Sequence, residues 1–303
     1  MNRIAALLLF CPAFCWAAPH AEHVFVISID GGKPSVIAES EMPTLKTIAA
    51  EGAVTWQAST IFPSLTLPSH TSMLTGVGPN KHTILWNAYT PIKGIVKIPT
   101  VFSILRTAEP SAVTAMFVGK VKFRHLWLPD SLTTFDFGGP QNEAPVASTV
   151  DLEKYQIPAR IVANNAVPWI MAHKPKLAFV HFADPDTARH AKGWGSPEQK
   201  EAFGVTDQAL AQVWQAIKDA GIADSSVMII SADHGGHDLI HGLDIPDDMI
   251  IPWIAWGKGV KKDFTITAPV TTFDTAATAL WLLGLPVPAG FDGKPVVSAF
   301  DGL

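Results

Sequence analysis

The 303-residue chain has only two cysteines and two tyrosines, no run of basic side chains, and no apolar stretch of membrane-spanning length. Each of these absences removes a class of function. Cys11 and Cys15 both fall in an opening segment with a basic start at Arg3, an apolar middle over 4–16 and a small residue at Ala17. That pattern reads as an export signal, residues 1–17, cut after Ala17. Residues 18–303 then carry no thiol, which excludes a disulfide framework and thiolate metal sites, so any metal must be held by histidine and carboxylate. Removing Arg3 from the 22 basic residues leaves 21 against 27 acidic ones, a net charge of −6. With no basic cluster, the sequence predicts no nucleic-acid-binding surface. The opening apolar run is too short to span a bilayer and contains Pro12, so no stable membrane span is expected after cleavage. The expected location is the periplasm or the cell exterior.

What is present is an alternation of buried strands and amphipathic helices. His23–Asp30, Leu177–Phe182 and Ser226–Ser231 are continuous apolar runs, the signature of strands covered on both faces. Val54–Thr60, Ala112–Val118 and Ile251–Trp256 read as further strands. Helices are predicted over Met42–Gly52, 67–75, Val101–Thr107, Ile157–His173 (with a kink or break at Pro168), Ser196–Ala220 and Asp274–Leu283. This order predicts an α/β fold with a mostly parallel central sheet flanked by helices. Residues 120–155 mix aromatics, Gly and Pro without a period and are expected to form loops or a small cap insertion.

The chemistry gathers at the ends of the strands. Asp30, Asp186 with His190, and Asp233 with His234 each follow directly on a predicted buried strand. In an open α/β sheet those ends share one edge, where ligands bind. Three carboxylates brought together there repel one another unless positive charge lies between them. Asp and His without Cys suit a hard or borderline divalent cation, and the ligand count is enough for two. Asp186 and His190 are four residues apart, so one helical turn puts them on the same side. Thr66 precedes Leu67, His70, Met73 and Leu74 at helical spacing. This places its hydroxyl at the N-cap, beside unpaired N–H groups that favour an anion. Ser64, Ser69 and Thr71 compete for the same role. Lys120, at a strand end, is placed to meet an anionic substrate or to sit exposed, and Trp86, Tyr89 and Trp194 flank the region. His70 and His82 are expected to bond locally.

Taken together, Ile29-Asp30-Gly31, Phe62-Pro-Ser-Leu-Thr66-Leu-Pro-Ser-His70, Thr75-Gly76 to Asn87, Pro185-Asp186 to His190, and Ala232-Asp233-His234-Gly235 resemble the alkaline phosphatase superfamily, and within it the type I phosphodiesterase/nucleotide pyrophosphatase branch. The resemblance runs from about His23 to Phe300 and implies a single catalytic domain over 18–303. It implies two divalent cations, zinc or manganese. One lies on Asp30, Thr66, Asp233 and His234, the other on Asp186, His190 and a later His, for which His241 fits best and His237 is the alternative. It implies Asn87 as a donor to a phosphate oxygen, and Thr66 as the nucleophile that forms a phospho-threonine. Arg189 departs from the pattern, standing where the family usually has Gly before the ligand His. The implied substrate is a small phosphodiester or nucleotide pyrophosphate. Alternatives are a phosphomonoesterase or phosphonate hydrolase on the same site, and a metal-binding protein without turnover. A sulfatase is disfavoured, because the Cys or Ser followed by Pro and Arg, from which sulfatases make their nucleophile, is absent.

Overall fold

The computed structural model describes residues 18–137 and 156–302. In chain order its strands are β1 His23–Ile29, β2 Ala53–Ser59, β3 Thr114–Val118, β4 Thr134–Asp136, β5 Leu177–Phe182, β6 Ser226–Ser231, β7 Ile250–Gly257 and β8 Phe264–Thr265. The helices are α1 Pro34–Ala38, α2 Pro43–Ala50, α3 Thr66–Thr75, α4 Pro79–His82, α5 Val101–Ala108, α6 Ala159–His173, α7 Asp184–Lys192, α8 Pro197–Asp219, α9 Pro246–Met249 and α10 Asp274–Leu282.

All eight strands form one sheet in the order β4-β3-β5-β1-β6-β7-β2-β8. Every pairing is parallel except those of β7, which runs antiparallel to both β6 and β2. The sheet is therefore mostly parallel, as the apolar runs predict. In β3, β5 and β6 every residue is buried, which is what helices on both faces of a parallel sheet require. Because β5, β1 and β6 are parallel neighbours, Asp30, the 183–190 segment and Asp233 leave the sheet at one edge.

Several elements differ from expectation. In the 120–155 segment, Val121–Leu126 is a 3-10 turn and Thr134–Asp136 extends the sheet as its edge strand; residues 138–155 lie outside the described residues. Helix α6 runs through Pro168 without ending there. Helix α3 starts at Thr66, not after it. Leu65 is the extended residue before the helix (φ −122°, ψ 151°), so Thr66 occupies the first helical position and not the N-cap. With Leu65 offering no capping side chain, the Leu67 N–H is taken by the Asn87 side-chain Oδ1 at 2.9 Å. Gly76 closes α3 in the left-handed region (φ 70°).

His82, at the end of α4, is bonded locally, as expected. Its Nδ1 accepts the Ile84 N–H at 3.1 Å, so Nε2 carries the proton and donates to Ser72 Oγ at 3.0 Å. Burial lowers its pKa to about 4. A group whose folded pKa is depressed contributes stability that is complete above its unfolded value, near 6.5, and is lost as pH falls towards 4. The melting midpoint is thus expected to fall over pH 6.5–4, and less steeply in His82→Gln. Equal slopes in pH-dependent circular dichroism melts of the two proteins would refute this.

Candidate active site

Helix α3 is buried at every residue, and its first residue presents a hydroxyl to the carboxyl edge of the sheet. Thr66 Oγ1 lies 3.4 Å from His234 Nε2. The competing hydroxyls are occupied elsewhere. Ser64 donates to the Leu243 carbonyl, Ser69 is bonded to Thr60, and Thr71 donates to the Leu67 carbonyl. His70 braces the same turn, with Nδ1 donating to the Thr66 carbonyl and Nε2 accepting from Ser28, each at 2.7 Å.

Around Thr66 Oγ1 the carboxylates of Asp30 and Asp233 are each half satisfied. Asp30 Oδ2 takes Lys120 Nζ at 2.7 Å and His181 Nε2 at 2.8 Å, whereas its Oδ1 has no hydrogen-bond partner. Asp233 Oδ1 accepts the Gly31 and His234 N–H groups at 3.0 and 3.1 Å, whereas its Oδ2 has none. The two orphaned oxygens approach His234 Nε2 at 3.5 and 3.3 Å. A buried, unpaired carboxylate oxygen is costly, and two aimed at one imidazole lone pair and one hydroxyl form a donor set that a divalent cation satisfies. His234 Nδ1 is bonded to the Gly235 carbonyl at 2.9 Å, which puts the proton on Nδ1 and leaves Nε2 free to ligate. These residues fit a metal ion.

The electrostatics agree. Burial and the neighbouring Asp30 push the Asp233 carboxyl well above its ordinary pKa, so its charge is stable only with a cation beside it. Burial, the largest single influence, pushes Asp30 and Asp186 up, but Lys120 together with His181 at Asp30, and with His190 and Arg189 at Asp186, more than offsets it and holds both well below the usual range. Burial lowers His234 to about 4 and His241 to about 2, keeping both imidazoles neutral near pH 7.

The second predicted group also assembles. One ligand atom from each of Asp186, His190 and His241 lies within 4.8 Å of the others, as do those of Asp30, Asp186 and His234. Helix α7 brings His190 Nε2 to 3.4 Å from Asp186 Oδ2, and the His241 ring stacks on His234 at 3.7 Å. His241 Nδ1 is fixed by the Ser64 carbonyl at 2.8 Å. The alternative, His237, has its Nδ1 on the buried Asp248 carboxylate at 2.7 Å, whose other oxygen holds the Leu243 N–H at 2.9 Å. This pair clamps the loop that carries His241.

Lys120 is not at the mouth. It is 4 % exposed, with Nζ between Asp30 Oδ2 (2.7 Å) and Asp186 Oδ2 (2.6 Å), so it compensates carboxylates inside the centre. Asn87, through its carbonyl, is held on α3, which leaves its NH₂ as a donor at the helix N-terminus. Trp194 packs over Gly31 and Gly236, and a Cβ at Gly236 would lie 2.1 Å from its ring. Trp86 and Tyr89 pack on His125. Sequence reasoning missed His181 and Asp248. His181 Nδ1 accepts the Gly119 N–H at 3.3 Å, so Nε2 donates to Asp30.

The sequence profile of the type I phosphodiesterase/nucleotide pyrophosphatase family matches residues 24–257, which hold every residue of this centre. The chain belongs to this family. Family relatives include mouse (Mus musculus) ectonucleotide pyrophosphatase/phosphodiesterase family member 7, 25 % identical over 244 residues, covering 77 % of this chain and 54 % of the relative. Another is the Bos taurus bis(5'-adenosyl)-triphosphatase of the same group, 23 % identical over 226 residues, covering 70 % and 47 %. The chain thus spans about half the length of the curated relatives it matches. Among solved structures, an inactive variant of murine ectonucleotide pyrophosphatase/phosphodiesterase 5 in complex with AMP superposes with a TM-score of 0.72 at 16 % identity, covering 92 % of this chain and 100 % of that one. A 2-O GAG sulfatase superposes with a TM-score of 0.71 at 14 % identity, covering 92 % and 74 %. At such identities the likeness concerns the fold.

Proposed function

We propose that the chain is an exported, metal-dependent hydrolase of phosphodiester or nucleotide pyrophosphate bonds, with Thr66 as its nucleophile. The observation that carries this reading is the meeting of a helix-terminal hydroxyl with two orphaned carboxylate oxygens and a free imidazole nitrogen. Asp30, Asp233, His234 and Thr66 would hold a divalent cation, zinc or manganese, which would supply positive charge to acidify the Thr66 hydroxyl and offset the charge of the phosphate.

The chain's own groups do the rest. Thr66 Oγ1 attacks phosphorus in line with the leaving oxygen; the Oγ1–P bond forms, the P–O bond to the leaving group breaks, and a phospho-threonine remains. The hydroxyl proton leaves with the departing alcohol; water then cleaves the phospho-threonine, its oxygen going to phosphorus and one of its protons restoring the Thr66 hydroxyl. The Asn87 NH₂ and the Thr66 N–H bind non-bridging oxygens, where charge is held through the transition state; the Leu67 and Ser69 N–H groups are already bonded and Pro68 has none. Lys120 and His181 fix the outer oxygen of Asp30, so its inner oxygen keeps its aim. Phe62, Leu239 and Leu243 are exposed on the two loops beside Thr66 and His241.

The test is the ratio of kcat/KM for bis-p-nitrophenyl phosphate to that for p-nitrophenyl phosphate, on zinc-loaded protein. A ratio well above one is expected. A ratio well below one would replace the diesterase reading by a monoesterase on the same residues, and silence on both substrates would remove the hydrolase reading altogether.

A further inference from the structure

The two ligand groups differ in one respect. In the Thr66 group two carboxylate oxygens lack a partner, whereas in the Asp186 group the ligand atoms of Asp186 and His190 are already covered. Arg189 is fully buried, and its Nε and Nη2 reach Asp186 Oδ1 at 2.6 and 2.5 Å. Nη2 also donates to His190 Nε2, the nitrogen whose lone pair a metal would need. Asp186 Oδ2 is taken by Lys120 at 2.6 Å. The guanidinium is held from its other sides as well, by Nη1 on the Leu239 carbonyl at 3.2 Å and by the Trp194 ring 5.4 Å from its central carbon. An arginine is never deprotonated in a protein, so it does not give up this place by losing its charge.

We propose that this chain holds a single divalent cation, on Asp30, Asp233, His234 and Thr66, and that Arg189 takes the place of a second one by covering the ligand atoms of Asp186 and His190. The inference rests on the metal-dependent reading above and narrows it. Charge favours it too. Three carboxylates against Lys120 and Arg189 leave one negative charge, and one divalent ion makes the centre singly positive. That matches the single negative charge of a phosphodiester, whereas two ions would leave three positive charges in a buried cleft. Arg189 is then a charge-compensating and positioning residue that keeps the His190 end of the centre cationic.

The experiment counts zinc in the full chain by mass spectrometry of the element, after chelator stripping, zinc reloading and desalting. One zinc per chain is expected, lost in Asp233→Asn, kept in His190→Ala, and raised towards two in Arg189→Gly. Two zinc ions in the unsubstituted protein overturn the inference, as does a single zinc lost in His190→Ala or a count that stays at one in a folded Arg189→Gly. If Arg189→Gly fails to fold, the counts in the unsubstituted protein and in His190→Ala, whose imidazole is 53 % exposed, still decide. Because counting needs no turnover, the two readings separate. Two ions with diesterase activity would sink the single-cation inference alone, whereas no ion and no activity would sink both.

Discussion

Thr66→Ala is expected to lower kcat/KM for bis-p-nitrophenyl phosphate by about 10⁴-fold or more, the scale seen when an activated nucleophile is deleted and only binding and oxyanion contacts remain. The substitution removes one hydroxyl from a fully buried first turn whose backbone is fixed independently. Asn87 holds the Leu67 N–H and His70 holds the Thr66 carbonyl, so the helix start stays where it is. The loss should therefore appear in kcat with little change in melting midpoint. Thr66→Ser is expected to recover most of the rate, because it returns an oxygen to the same place beside His234. The neighbouring hydroxyls give a control of equal chemistry, since Ser64 and Thr71 are bonded to carbonyls and do not face the metal ligands. Ser64→Ala is expected to retain activity within about tenfold, the order a single lost neutral hydrogen bond allows. Full activity in Thr66→Ala would show that the hydroxyl is not the nucleophile and that the mechanism is wrong.

The parts of this centre that were legible in the sequence are those set by local pattern. Three mainly apolar runs, each followed within a few residues by a carboxylate, are enough to place Asp30, Asp186 and Asp233 along one sheet edge, and the structure puts them there. The i, i+4 spacing of Asp186 and His190 is a helical relation and survives in α7. What the pattern did not reveal depends on neighbours remote in the chain. Lys120 looked like a surface cation because its strand end is open in sequence, yet β3 lies beside β5, and that pairing carries its ammonium into the carboxylates. His181 sits in the middle of an apolar run and carries no signal of its own, and only the adjacency of β5 and β1 sets it against Asp30. Strands β4 and β8, of three and two residues, are too short to show a period. His237, the alternative to His241, has its Nδ1 on Asp248, a partner eleven residues away that no local pattern announces. Thr66 missed the N-cap by one residue because the Asn87 side chain, from the loop after α4, supplies the capping acceptor that a side chain at position 65 would otherwise give.

Lys120→Met is expected to destabilise the metal-free protein by about 3–5 kcal/mol at pH 8, the range for removing one partner from a buried ion pair, which for a chain of this size lowers the melting midpoint by roughly 10 °C. Methionine fills nearly the same volume, so the change is mainly one of charge: Asp30 Oδ2 and Asp186 Oδ2 lose the ammonium that lies within 2.7 Å of both. The sign of the pH dependence follows. In the unsubstituted protein burial pushes both carboxyls up, but Lys120, acting with His181 at Asp30 and with His190 and Arg189 at Asp186, keeps them well below the usual carboxylate range, so their contribution is complete above pH 4 and is lost only as pH falls further. Without Lys120, burial and mutual repulsion dominate and the folded pKa values rise above the unfolded ones. The variant then gains stability as pH falls, because its folded state binds protons that its unfolded state does not. The gap between the two proteins should be widest near pH 8 and close towards pH 4. Zinc should narrow it at pH 8 by returning positive charge to Asp30, while Asp186, held by Arg189 on its other oxygen, stays short of one cation. Lys120→Arg tests the geometry apart from the charge. Its planar fork keeps the positive charge but cannot occupy the single point between the two oxygens, so an intermediate loss is expected. A Lys120→Met protein that melts with the unsubstituted one at pH 8 would mean that the carboxylates are not held by this lysine, and that their repulsion is relieved by some other cation.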